Sequence, residues 1–251
     1  MSLAGDVMNV YQSFTKGAPM RRSRYTPPSE IETHKLSDLL KIGDRSIASA
    51  QGSFLEALND QEIYCAGNLG LLGKKSAAVI GSRNVSPEGV QRARQIARHL
   101  AAAGIVVTSG LAKGVDTAAH EGALANGGST IAVIGTPLAK AYPAENSALQ
   151  EEIYSQHLLI SQFAPGARTF PSDFPKRNRV MAALSDASII VEASDTSGTL
   201  HQAAECVRLG RWLFIMKSVA ENPDLEWPAK FLRQERVAVL TSAEDVIERI
   251  K

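Results

Sequence analysis

Four polar clusters in this chain have the residue types that hold phosphate. Gly81-Ser82-Arg83 closes an apolar run, Ala77–Ile80. Ser109-Gly110 closes a second run, and Lys113 and Gly114 follow within four residues. Phe174-Pro175-Lys176-Arg177-Asn178-Arg179 sets three cations beside an aromatic ring. Ser197-Gly198-Thr199 follows a third apolar run, Ile189–Val191. Glycine lets a strand end turn tightly, and a helix that starts there presents N–H groups to an anion. Hydroxyls add donors, and an arginine such as Arg83 can grip phosphate with two parallel N–H bonds. Recurrence of this pattern at several strand ends points to a phosphate-bearing ligand spread across one sheet edge.

Other residues position these groups rather than react. Asp116 is placed to cap the helix that follows Gly114 or to orient a neighbour, and His120, one turn later, reads as a packed or hydrogen-bonded histidine. Arg177 and Arg179 are too close in sequence to share a helix face, so one is expected to pair internally, with Glu192 or Asp186, while the other faces ligand. Phe174 either stacks on a base or seals the loop. Glu192, at a strand end, would repel phosphate and is read as an arginine orienter.

Catalytic machinery is not expected. No serine is matched with a base backed by a carboxylate, and His34, His99, His120, His157 and His201 do not cluster. Cys65 and Cys206 match no metal spacing, and neither a metal nor a cofactor is expected. Two unpaired cysteines fit a reducing cytoplasm. The formal net charge is +1, low for a dedicated duplex-DNA binder, so any nucleic acid must bind at a local patch. No apolar run is long enough for a membrane span, and the opening MSLAGDVMNVYQSF lacks the basic-then-apolar order of a secretory leader.

The elements that must carry these clusters alternate. Strands are expected at Ala77–Ile80, Ile105–Thr108, Thr130–Ile134, Leu158–Ser161, Ser188–Val191, Trp212–Met216 and Ala238–Leu240. Helices are expected between them, at Pro87–Ala103, Val115–Asn126, Asn146–Ser155, Lys176–Leu184 and Thr199–Leu209, with a short one at Trp227–Gln234 and a last at Ala243–Ile250. This is the pattern of an α/β fold: a Rossmann-like, doubly wound, mostly parallel sheet with helices on both faces. Residues 71–251 form that domain. Residues 1–70 form a small N-terminal extension, with short helices expected from Ile31 to Gly73. It begins as an arm in which Arg21, Arg22 and Arg24 precede Pro27-Pro28; that arm is either solvated or touches an anionic ligand.

In order, GSR, SGLAKGVDTAAHEGAL, GGSTIAVIGT, the YP-x-x-N of Tyr142–Asn146, FPKRNR, and VEA followed by SGTL closely resemble the DprA/Smf family of DNA-processing proteins. The resemblance covers about Ala66 to Met216. It implies a cytoplasmic protein that binds single-stranded DNA without hydrolysing it, self-associates as a homodimer, and hands DNA to a RecA-type recombinase, as in natural transformation. It also implies that Arg83 grips DNA and that Gly110, Lys113, Phe174, Lys176, Arg177 and Arg179 line the same groove. The sequence departs from the family pattern at Pro137, Ala144, Thr199–Gln202 and Met216–Ser218.

Two other readings share the same rim. RNRVMAALSDASIIVEASDTSGTLHQ resembles, more loosely, the nucleoside-monophosphate phosphoribohydrolases of the lonely-guy (lysine-decarboxylase-like) family. In those proteins an acid follows the GT pair; here Gln202 takes its place and cannot serve as a base. The other is a sensor that binds a nucleotide-derived small molecule without turnover.

Overall fold

The computed structural model describes residues 25–45 and 59–250. Arg21, Arg22 and Arg24 lie outside the described residues.

Nine strands form one sheet in the order β1-β2-β6-β5-β4-β3-β7-β8-β9. The strands are β1 (Glu32–Lys35), β2 (Glu62–Gly67), β3 (Ser76–Gly81), β4 (Val106–Ser109), β5 (Thr130–Ile134), β6 (Leu158–Ser161), β7 (Ala187–Glu192), β8 (Trp212–Met216) and β9 (Val237–Leu240). From β6 to β9 every neighbour is parallel; β1 and β2 join antiparallel at the β6 side. Chain order runs outward from β3 through β4 and β5 to β6, then returns to β7 on the other flank of β3. The winding therefore reverses at β3/β7, where an open α/β sheet leaves a crevice at its carboxyl edge.

β3, β4, β5 and β6 are buried almost throughout because helices cover both faces. On one face lie α1 (Leu36–Ile42), α5 (Asp173–Ala183) and α6 (Thr199–Arg208), with Val180, Met181 and Ala203 packed among Val106, Ile131, Val133 and Ile190. On the other lie α2 (Pro87–Ala102), α3 (Val115–Leu124), α4 (Ser147–Gln156) and α9 (Glu244–Ile250). Two short helices, α7 (Lys217–Ala220) and α8 (Trp227–Phe231), join β8 to β9. α5 is the long return: it carries the chain from β6 back over β5 and β4 to β7.

Of the short helices expected in the extension, α1 and a 3-10 turn at Leu69–Gly73 are present, and two strands accompany them. Ile63 and Cys65 alternate inward along β2, and β1 pairs with it through Thr33↔Tyr64, so this segment lengthens the sheet. Arg45 is buried beside it. It donates to Asp186 at 2.6 Å and to the carbonyl oxygens of Leu72 and Lys74, fixing the segment to the start of β3. Asp186 is thus committed to Arg45 and to the Ser76 N–H, and is no partner for Arg177 or Arg179.

Candidate nucleic-acid interface

A cleft of about 580 Å³ opens at the carboxyl edge of the sheet where the winding reverses. Gly81, Ser82, Arg83 and Asn84 form one wall, Tyr142, Pro171, Phe174 and Pro175 another, and Ser194, Ser197, Gly198 and Thr199 a third; Asp116, Arg177, Asn178, Met181 and Gln202 also line it.

The aromatic wall is ordered by packing. The Arg83 guanidinium lies over the Phe174 ring, 5.0 Å from its centroid, and Tyr142 packs on Phe174 with centroids 5.4 Å apart. Arg83 is exposed and makes no ion pair among the described residues. Phe174 can lie there because residue 135 is glycine: a Cβ at Gly135 would fall 2.6 Å from its ring. Asn146, four residues after Tyr142, anchors this stretch of chain: its amide donates to the Leu111 carbonyl at 2.9 Å and to Thr117 Oγ1 at 2.8 Å. Tyr142 is 44% exposed, and Phe170, in the loop before α5, is 56% exposed.

The loop from β3 to α2 is fixed by Glu192. Its carboxylate accepts from the Ser86 N–H at 2.9 Å and the Ser86 hydroxyl at 2.6 Å, while Ser86 caps α2 by accepting from Gly89 N. Glu192 is therefore a loop clamp, in place of the expected arginine orienter. The same clamp uses up an expected anion donor, because the Ser82 N–H donates to the Glu192 carbonyl at 2.8 Å.

Arg177 is the internal member of the arginine pair. It is 5% exposed and donates to the carbonyl oxygens of Gly110 and Val133, at the ends of β4 and β5, and through Nε to Asn178 Oδ1 at 2.9 Å. Burial lowers its pKa, with the nearby Asp116 opposing that shift. Asp116 neither caps α3 with its side chain nor touches solvent freely: burial raises its pKa, Arg177 counters the rise, and it accepts from Ala112 N at a long 3.3 Å.

Of the remaining expected site residues, Ser109, Gly110, Lys113, Gly114, Lys176 and Arg179 fall outside the cleft lining. Ser109 is fully buried and donates to the Val79 carbonyl at 2.7 Å. Gly110 sits behind Arg177. Gly114 has φ +82° and packs on the Ser82–Arg83 backbone, where a Cβ would be 2.7 Å from the Arg83 oxygen. Lys113 pairs with Glu145 at 2.8 Å and Lys176 with Asp173 at 3.2 Å, both cations standing half-exposed at the rim. Arg179 pairs with Glu205 at 3.3 Å on the outer side of α5. Ser197 and Thr199 line the cleft but spend their N–H groups within their own turn, on Ser194 O and Ser197 Oγ; Gly198, between them, caps α6 with its N–H unpartnered among the described residues.

This geometry agrees with the comparisons. The model of a protein family described as DNA recombination-mediator protein A matches residues 54–251. The chain belongs to the DprA/Smf family. The DNA processing protein DprA of Streptococcus pneumoniae is 40% identical over 186 residues, which is 74% of this chain and 65% of that protein. The chain thus spans somewhat less than two thirds of that relative's length. An X-ray structure of the Streptococcus pneumoniae DprA matches 89% of this chain and 75% of its own, with a TM-score of 0.73 at 33% identity. DNA processing protein A from Helicobacter pylori, in a structure that concerns its single-stranded DNA binding mode, matches 88% of this chain and 95% of its own, with a TM-score of 0.70 at 27% identity. The Rossmann-like, mostly parallel sheet expected from the DprA/Smf resemblance is the one observed.

Tyr142, Asn84, Asp116 and Gln202 line the cleft although the sequence reading did not place them there. Gln202 had a usable signal: it lies three residues after Thr199 on the same helix, and such residues share a face.

Proposed function

We propose that this chain binds single-stranded DNA at the cleft and its rim without hydrolysing it, as a member of the DprA/Smf family acting in DNA processing and recombination. The observation that carries the reading is the exposed Arg83 stacked on Phe174 beside Tyr142, at the point where the winding reverses. Aromatic faces beside cations are how sequence-tolerant single-strand sites are built. Arg83, Phe174, Asn178, Ser197, Gly198 and Thr199 act in the cleft, and Lys113 and Lys176 serve passing phosphates at the rim. Hydrolysis is disfavoured by Gln202 in place of an acid, and by Glu205, which is held by Arg179 and Arg208 away from the cleft. Delivery of DNA to a RecA-type recombinase, homodimer formation and a cytoplasmic location belong to the same proposal. No helix among the described residues is long and apolar enough to cross a membrane.

The test is fluorescence anisotropy of a labelled oligo-dT against wild type and Arg83→Ala at two salt concentrations, with AMP as competitor. Arg83→Ala should weaken binding by about 1–3 kcal/mol and lower the salt slope by about 0.7, one phosphate's share on a single strand. Unchanged affinity and slope would defeat the proposal. Efficient displacement by AMP would favour the small-nucleotide sensor, which the cleft's volume also suits.

A further inference from the structure

The strands end at the cleft and begin at a surface of a different kind. Along this opposite, amino edge the neighbouring strands β3, β7, β8 and β9 are each preceded by a charged residue: Lys75, Asp186, Arg211 and Arg236. Asp186 is spent on Arg45 and the Ser76 N–H, and Arg211 turns inward to the carbonyl oxygens of Arg45 and Ala183. Lys74, Lys75 and Arg236 stay exposed, and none of them makes an ion pair among the described residues. The lysine backbones are nonetheless fixed: the Lys74 N–H donates to Leu71 O at 3.2 Å, and the Lys75 carbonyl accepts from Val106 N at 2.9 Å. Two unpaired ammonium groups therefore stand on a rigid turn.

Beside them a cavity of about 300 Å³ opens between that turn, the turn after α2, and α9. Ala103, Gly104, Ile105, Ile247 and Ile250 form its walls, and Lys74 and Lys75 complete the lining. Ile105 and Ile250 are buried in the core and Ile247 packs partly against it, so the apolar floor is fixed. Gly104, at φ +77°, has open space where a Cβ would stand, which leaves the mouth clear. No carboxylate and no aromatic ring lines the cavity. Single strands need aromatic rings to stack on, so nucleic acid does not suit this lining. The volume lies at the small end of ligand pockets, which run from ~300 to ~1,000 Å³, and holds a side chain or two rather than a cofactor.

An apolar hole whose only charges are lysines is complementary to an apolar side chain carried next to carboxylates. We propose that this site docks a peptide segment of a protein partner, with one apolar anchor in the cavity and acidic residues on Lys74 and Lys75. From β3 to β9 is a distance of three strand spacings, about 14 Å, or about four extended residues. Acids up to that far from the anchor also reach Arg236. The site lies at the opposite end of the strands from the cleft, so partner and DNA can be held together, and it does not rest on the DNA reading.

The probe is a fluorescein-labelled peptide of four aspartates followed by leucine and phenylalanine, titrated by anisotropy with wild type, Lys74→Glu/Lys75→Glu and Ala103→Trp. Ala103 is exposed in the lining, so tryptophan there plugs the cavity without touching the core. Wild type should bind saturably, and more weakly as salt rises. The charge reversal should lower affinity at least about tenfold, the worth of two exposed ion pairs. The plug should lower it by a similar factor and leave the salt dependence. A peptide with lysine in place of aspartate should not bind. Both variants should keep the wild-type urea midpoint and oligo-dT affinity; they act at different residues, so misfolding of one leaves the other to decide. No saturable binding to wild type, equal binding by the variants, or displacement of the peptide by oligo-dT would overturn the proposal. So would loss of a wild-type dimer in Ala103→Trp by sedimentation velocity, which would make a second copy of this chain the occupant.

Discussion

The Arg177 guanidinium fills the space that a side chain on Gly110 would occupy: a Cβ there would lie 2.5 Å from Arg177 Cζ. The two residues are 67 positions apart, yet each requires the other. Gly110 leaves room for the cation, and the cation satisfies the Gly110 and Val133 carbonyls at adjacent strand ends.

The two arginines of the FPKRNR motif should therefore respond oppositely to substitution. Arg177→Met leaves two carbonyls with no guanidinium and should cost about 2–5 kcal/mol of stability. Arg179→Ala removes a half-exposed ion pair and should cost no more than about 1 kcal/mol. Urea unfolding decides the matter, and an Arg177→Met variant as stable as wild type would show that the clamp is ornamental.

Two glycines at the rim should behave differently as alanines. Gly114 needs its positive φ and has the Arg83 carbonyl 2.7 Å from any Cβ, so Gly114→Ala should lose at least about 1–3 kcal/mol. Gly198 faces open space at an ordinary φ of −60°, so Gly198→Ala should fold within about 0.5 kcal/mol of wild type. A loss of DNA affinity in Gly198→Ala alone would then report close approach of the ligand backbone.

The Ser86–Glu192 clamp should show coupling. Ser86→Ala, through the lost cap, and Glu192→Gln, through the weakened grip on Ser86, should each cost about 1 kcal/mol. The double variant should cost less than their sum, because both act on one network. Strict additivity in a thermal or urea cycle would contradict the clamp.

His120 should make the fold acid-sensitive. Thr130 Oγ1 donates to the Val107 carbonyl, so it must accept from His120 Nδ1, and the buried Nε2 is left bare with no partner. Protonation would bury an unpaired N–H, and burial holds the imidazole pKa down to about 3 from 6.5. The unfolded chain binds the extra proton first, so this contribution is complete above pH 6.5 and is lost as pH falls toward about 3, at up to about 1.4 kcal/mol per pH unit. His120→Gln should flatten the slope of stability against pH across that window. A slope unchanged in the variant would assign it to other groups.

Most of the parallel sheet was legible because its strands are short continuous apolar runs, three of them, β3, β4 and β5, closed by glycine. β3, expected at Ala77–Ile80, spans Ser76–Gly81. The start of α5 was less so: Pro175 suggested a loop, yet a proline is tolerated in a first helical turn, where its N–H has no intrahelical duty, and the helix begins at Asp173. β2 was hidden because its alternation is only six residues long. Within the site, Arg83, Phe174 and Asn178 could be read from motif chemistry. The destinations of Lys113 and Arg179 could not, since each depends on a carboxylate that only the folded chain brings near; Lys176 pairs locally with Asp173, three residues before it. Tyr142 was visible as part of YP-x-x-N, but its stacking on Phe174 joins segments that the sequence separates by 32 positions.

The return of the chain from β6 to β7 also gives the cleft a dependence on assembly order. Pro171, Phe174, Arg177 and Asn178 come from the crossover, Arg83 from the first half of the winding, and Gln202 from the second. Neither half alone contains a complete wall set. A molecule seated there works as a keystone: it bridges three stretches of chain that meet only once the last strands have docked, and its binding free energy adds directly to the cohesion of the two halves.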